Sequence, residues 1–148
     1  MAKIADVQEV SLNYLVPYER NAKIHGPEQI ERLKESIKEF GFVTPCLIDR
    51  EYNLIAGHGR VMAARELGME TVPCVFVEGL TDEQRRAYIL ADNKLFELGE
   101  WDDDMIRAEV EDVDFDFSAF GIDVDEPEEV PVQDAVRCPR CGNIVEVR

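Results

Sequence analysis

The chain has 148 residues, 45% of them hydrophobic, four cysteines and a formal net charge of −16, enough for one domain with a real core and a short appendage. No apolar run reaches the roughly 18 residues of a membrane span, and the opening MAKIADVQEV has no signal-peptide core, so no membrane partner is expected and the cytoplasm is the expected compartment. The charge argues against a chain that is basic throughout, but residues 1–99 carry 12 Lys+Arg against 16 Asp+Glu, so the excess lies mostly in the last third and a local basic patch earlier is compatible with it.

EVSLNYLV (9–16) alternates as a strand does, and VPYERNAKIHG (16–26) reads as a loop. Pro27 suits a first helical position, and Ile30, Leu33, Ile37 and Phe40 recur at helical spacing up to a stop at Gly41. TPCLIDR (44–50) and NLIAG (53–57) read as a β-hairpin, followed by a helix from about 58 to 67 that ends at Gly68. TVPCVFVE (71–78) is a Val-rich strand of the kind buried on both faces. Thr81 and Gln84 form a capping box for a helix with Ala87, Leu90, Ala91, Leu95 and Leu98 on one side. Asp102 is placed to cap DDMIRAEVE, which explains the Asp102–Asp104 run better than a metal cluster does. FDFSAFGI (115–122) has an apolar face to dock on the core, and residues 123–135 read as an acidic, Pro-rich linker. Cys46 and Cys74 lie in apolar runs and are expected as buried, unreactive thiols.

Between the hairpin and its helix stands IAGHGRVMAAREL (55–67). A strand, then Gly57-His58-Gly59, then a helix opening on Arg60 offers unpaired backbone N–H donors and the positive end of a helix dipole. Glycine admits a phosphate close to the backbone, the Arg60 guanidinium can fork onto its oxygens, and His58 adds a donor or a general base. A tight structural turn with a solvated Arg60 is the alternative. Met62 stands where a dinucleotide fingerprint needs glycine, and no phosphate-loop or nucleophile-elbow signature is present. Asp92 and Asn93 interrupt a helical pattern. They read either as a break or solvent-facing polar pair, or as a carboxylate and amide for a hydrated Mg²⁺.

Taken together, these segments resemble the ParB/sulfiredoxin-like superfamily, over roughly residues 9–99, and in particular the nucleotide-binding N-terminal domain of ParB. TDEQRRAYILADNKLFELGEWDDDMI (81–106) is similar to ParB-like domains of phages and mobile elements, including those fused to DNA methyltransferases. The resemblance implies a small α/β fold with a mixed sheet, packed helices and a pocket that in ParB takes CTP with Mg²⁺; related members are ATPases, DNA nucleases or a free-serine kinase. Thr44-Pro45-Cys46 matches the first pocket motif, Gly57 and Arg60 match the ends of a Gly-Glu-Arg-Arg turn, and Asp92-Asn93 matches a Glu-Asn pair serving metal and phosphates. His58 replaces the Glu, Gly59 the first Arg, and Phe96 stands where the third motif ends in Arg. Sulfiredoxin's catalytic cysteine has no counterpart in this turn.

The implied nucleotide site is therefore Thr44, Pro45, Gly57, His58, Gly59, Arg60 and Asn93, with Asp92 on Mg²⁺ and His58 and Asp92 as catalytic candidates. The ligand would be a nucleoside triphosphate, CTP or ATP. Arg20, Lys23 and His25 in the loop, and Arg85 and Arg86 on the later helix, are candidates for DNA contact, with solvated surface as the plain alternative. The tail CPRCGNIVEVR supplies a half zinc ribbon, Cys138 and Cys141; since structural zinc sites are tetrahedral, two chains pooling knuckles into a homodimer would complete one, and a metal-free turn or redox pair is the other reading. Domains are expected at 1–122, 123–135 and 136–148. The leading function is a nucleotide-binding, DNA-associated ParB-like accessory protein with slow NTP hydrolysis. The alternatives are a metal-dependent DNA nuclease and a non-enzymatic adaptor whose acidic 100–134 segment docks on a DNA-modifying or packaging enzyme.

Overall fold

A computed structural model describes residues 1–122, 136–137 and 144–145. Four strands, β1 (Lys3–Ser11), β2 (Cys46–Ile48), β3 (Leu54–Ala56) and β4 (Thr71–Glu78), form one mixed sheet in the order β1-β4-β2-β3. β4 runs antiparallel to β1 and parallel to β2, placing Cys46 beside Cys74; β2 and β3 form the expected antiparallel hairpin. Helices α1 (Pro27–Phe40), α2 (His58–Glu66), α3 (Asp82–Phe96) and α4 (Asp103–Asp112) complete the body, and a 3₁₀ turn spans Ser118–Phe120. The core holds Val10, Leu12, Leu15, Cys46, Ile48, Leu54, Val61, Ala64, Val72 and Cys74.

The first strand lies earlier than the alternation in 9–16 places it. β1 ends at Ser11, where the Tyr14 N–H turns back onto the Ser11 carbonyl at 3.0 Å. Leu12 and Leu15 are buried pegs of that turn. The alternation marks Val10 and Leu12 as core, but Tyr14 and Val16, which continue it, are exposed and Leu15 is buried instead, and the ladder with β4 selects Lys3–Ser11 as the strand. Most of β1 is exposed, so the far end of β4 is only half covered: Val72, Cys74 and Val75 are buried, while Phe76 and Val77 are partly open.

Helix signals fare better. Pro27 sits in the first turn of α1 behind Gly26, and Gly41 closes it at φ 79° with its N–H on the Ile37 carbonyl. Both halves of the capping box on α3 are formed, Gln84 N–H to Thr81 Oγ1 at 3.2 Å and Thr81 N–H to Gln84 Oε1 at 3.0 Å. Asp102 caps α4 through the Met105 N–H at 3.1 Å. The expected apolar side of α3 does not face the core. Leu90, Leu95 and Leu98 are 60%, 66% and 67% exposed, and Ile89 is the residue α3 buries. The helix meets the sheet at β3.

Phe115 and Phe120 dock on Phe40 at the end of α1, with ring centroids 5.6 and 5.7 Å away. No helix among the described residues is long and apolar enough to cross a membrane. Cys138, Cys141 and the 123–135 linker lie outside the described residues; the flanking strands β5 (Val136–Arg137) and β6 (Ile144–Val145) pair antiparallel.

A candidate phosphate and nucleotide site at the Gly57 bend

Gly57 adopts φ 103° and ψ 17°, a left-handed conformation that glycine accepts without strain. A Cβ there would lie 2.7 Å from Cys46 Sγ and 3.2 Å from an Arg60 guanidinium nitrogen, so conformation and space both demand glycine. Cys46 is fully buried below the bend. Its hydrogen bond with the Cys74 thiol, together with burial, pushes the Cys46 thiol far above its usual range, so it is packing and not a nucleophile. Helix α2 starts directly after Gly57, with no side chain capping its first turn. Its leading N–H groups are thus left to a ligand or solvent.

Gly59 serves packing more than phosphate access. It is buried, and a Cβ would come within 3.0–3.1 Å of the His25 ring and of Leu33. That close seat brings the loop before α1 against α2. His58 reinforces it: Nε2 accepts the Tyr18 backbone N–H at 3.3 Å. Burial, and then the neighbouring His25, lower the His58 pKa below its ordinary 6.5. A neutral ring with the proton on Nδ1 is the state this bond requires, so the Nε2 lone pair is engaged in holding the loop.

These groups converge on one cavity of about 220 Å³. Its lining joins Gly57, His58, Gly59 and Arg60 to Asp92 and Asn93 from α3 and to Lys23 and His25 from the loop. Among the described residues Asp92 is its only carboxylate. Asn93 is turned partly inward on the helix, its Nδ2 donating to the Ile89 carbonyl at 2.9 Å. The helix continues through Asp92-Asn93 without a break. Burial first, then the Asp92 charge, raise the pKa of Tyr88 one turn away. Phe96 closes one side.

Arg60 is half-buried and forms the wall between this cavity and a second one of about 390 Å³. The second is largely apolar, lined by Leu33, Ile37, Phe40, Phe42, Val43 and Thr44 among others. Pro45 contributes its carbonyl, which accepts from Arg60 at 3.5 Å. A polar and an apolar chamber thus lie on either side of one guanidinium, and their volumes together fall in the ~300–1,000 Å³ range of small-molecule sites.

The five residues expected to touch DNA separate. Arg20, Lys23 and Arg86 border a groove between α3 and the loop before α1. His25 turns to the cavity at the Gly57 bend, its Nδ1 3.0 Å from Gln29 Oε1. Arg85 is not available to a phosphate backbone: Asp49 binds it at 2.5 Å and Asp82 at 3.4 Å, and its side chain is only 19% exposed. Asp49 also accepts the Glu51 and Asn53 N–H groups at 2.9 Å, so Arg85 ties α3 to the β2–β3 turn. Asn21, Gln29 and Leu33 in the cavity wall escaped the sequence reading, since Leu33 reads as helix stripe and the other two as solvated polar residues.

The ParB N-terminal domain model matches residues 2–94. The chain is 53% identical over 75 residues, 51% of its own length and 86% of the relative's, to the ParB-like nuclease domain-containing protein YnaK of Escherichia coli. It is 30% identical over 95 residues to a nucleoid occlusion protein of Halalkalibacterium halodurans, of which it spans only 33%. Among solved structures it is similar to C-terminally truncated chromosome-partitioning protein ParB from Caulobacter crescentus complexed with CTP-γ-S, with TM-score 0.63, 20% identity and coverage of 81% of this chain and 71% of that one. The chain therefore belongs to the ParB N-terminal domain family and has its mixed α/β fold.

Proposed function

We propose that this protein binds a nucleoside triphosphate with Mg²⁺ and acts in association with DNA. One observation carries the reading: the Gly57–Arg60 bend and the Asp92–Asn93 pair, far apart in sequence, line a single cavity beside a cationic loop. Phosphates would rest on the free N–H groups of α2, where the helix dipole favours anions, with Arg60 and Lys23 supplying charge. The apolar chamber beyond Arg60 would take the base, near Thr44 and Pro45. The structural relative complexed with CTP-γ-S supports CTP as the first nucleotide to test.

The donor set fits Mg²⁺ only in company. Asp92 is a single carboxylate, Asn93 an amide, and no cluster of three candidate ligands occurs among the described residues. Mg²⁺ commonly takes one or two carboxylates, waters and substrate phosphates, so Asp92 and Asn93 would hold it through a bound triphosphate, where it would neutralise phosphate charge. Any hydrolysis would be slow. His58, with Nε2 engaged by Tyr18, positions the loop rather than activating water in the observed conformation. A lone carboxylate likewise gives the nuclease alternative little to work with.

Calorimetry of the full chain with CTP, ATP and GTP plus Mg²⁺ tests this. Specific binding of one nucleotide is expected, weakened at least about tenfold by Arg60→Ala, the loss of about 1.4 kcal/mol of charge-assisted hydrogen bonding. Equal binding of all three, or an Arg60→Ala variant that binds like the parent, overturns the assignment.

A further inference from the structure

Beside the phosphate cavity lies a groove of about 590 Å³, between α3 and the loop that precedes α1. Its rim carries Arg20, Lys23, Arg86 and Lys94. That is four of the sixteen Lys and Arg residues of a chain with net charge −16, gathered at one place. Two glutamates, Glu83 and Glu97, also border it, and Glu97 is held by Lys94 at 2.9 Å. Among the described residues Arg20, Lys23 and Arg86 form no ion pair, so their charge is left for a partner. The floor is apolar and aromatic: Tyr18, Ala87, Ile89 and Leu90. Lys23 and Asn93 belong to both the groove and the phosphate cavity.

Cations around an apolar floor suit an anion whose polymer also offers flat apolar faces. Single-stranded nucleic acid has both, since unpaired bases stack on aromatic side chains while phosphates meet Lys and Arg. A duplex keeps its bases stacked inside and brings only phosphates and groove edges, leaving the floor unused. We propose that this groove binds single-stranded DNA, with a base lodged against Tyr18 and Leu90 and the flanking phosphates on Arg20 and Arg86. This rests on the DNA association proposed above and narrows it to a strand type and a surface. Lys23, on the shared wall, places the strand next to the nucleotide phosphates.

The test is fluorescence anisotropy of the full chain with a labelled oligothymidylate, and with a duplex of equal length, at low salt and without nucleotide. The single strand is expected to bind at least tenfold tighter than the duplex. Tyr18→Ala should weaken it about 5- to 100-fold, the range of one lost base stack, while Tyr18→Phe keeps most of the affinity. The Tyr18–His58 bond uses the backbone N–H, so neither substitution removes that tether. Arg86→Ala should weaken binding and flatten its dependence on log salt by about 0.7, one phosphate contact on a single strand. Equal affinity for duplex, or no effect of Tyr18→Ala, overturns the proposal while leaving DNA association standing. Displacement of the oligonucleotide by polyglutamate as effectively as by unlabelled oligothymidylate overturns it in favour of an acidic peptide surface. Calorimetry of the parent with CTP plus Mg²⁺ separates the two readings: no nucleotide binding, with the oligonucleotide bound as expected, counts against the nucleotide reading alone.

Discussion

Gly57 shows how one residue can be fixed by two independent demands. Its positive φ excludes a side chain at a cost of about 1–2 kcal/mol, and a Cβ against the buried Cys46 Sγ adds about 1–3 kcal/mol of overpacking. Gly57→Ala is therefore expected to lower unfolding stability by about 2–4 kcal/mol in a urea titration, whereas a value under about 0.5 kcal/mol would mean the bend is not held as described. His58 makes a pH-dependent contribution of defined sign. Its folded pKa lies below the ordinary 6.5, because burial and His25 disfavour the charged ring. As pH falls below about 6.5, the unfolded chain takes up a proton that the folded one resists, so this contribution is lost progressively until the folded pKa is reached. Stability measured across that window should fall with acid in the parent and fall less in His58→Gln; identical profiles would remove His58 from the account. At this scale the sequence marks Gly57, Arg60, Asp92 and Asn93 by type and spacing. It does not distinguish Arg85 from Arg86, because which of two adjacent arginines meets Asp49 depends on the rotation of α3 over the hairpin.

At the level of elements, caps and periods behave differently. Caps are local: Pro27, Gly41, Thr81 with Gln84, and Asp102 act within a few residues of themselves and are read directly. Burial is not local. Ala87, Leu90, Ala91, Leu95 and Leu98 have the spacing of a core face, yet α3 turns Ile89 inward and leaves the three leucines open. Ile89→Ala is expected to destabilise the fold by about 2–4 kcal/mol, and Leu95→Glu by less than about 0.5 kcal/mol. Thermal or urea unfolding of the two variants decides between the faces, and the opposite ranking would restore the face that spacing alone selects. β1 carries the same lesson in a strand. Alternation over 9–16 finds Val10 and Leu12 but not the buried Leu15, and pairing with the eight-residue β4 extends the strand to Lys3, through largely exposed residues.

For the whole molecule, the sheet order β1-β4-β2-β3 decides where chemistry is placed. The parallel pairing of β2 with β4 sets Cys46 beneath the bend, and the contact of α3 with β3 brings Asp92 and Asn93 to the cavity that the bend lines. The tail makes a separate prediction. With Cys138 and Cys141 supplying two of four ligands, the same pair from a second chain would close a zinc site. Protein purified without chelator is expected to contain one zinc per two chains, with a dimer on gel filtration that chelator dissociates; free thiols at both positions and no zinc would exclude it. Sequence alone determined the α/β class, most element boundaries, the buried Cys46 and Cys74 and the residue types of the Gly57 bend, because propensity, capping and composition act over a few neighbouring residues. Tertiary structure alone decided that Asp92 faces Gly57, that Arg85 is consumed by Asp49, and that Tyr18, Arg20 and Arg86 share a groove, because those distances are set by how the helices pack on the sheet.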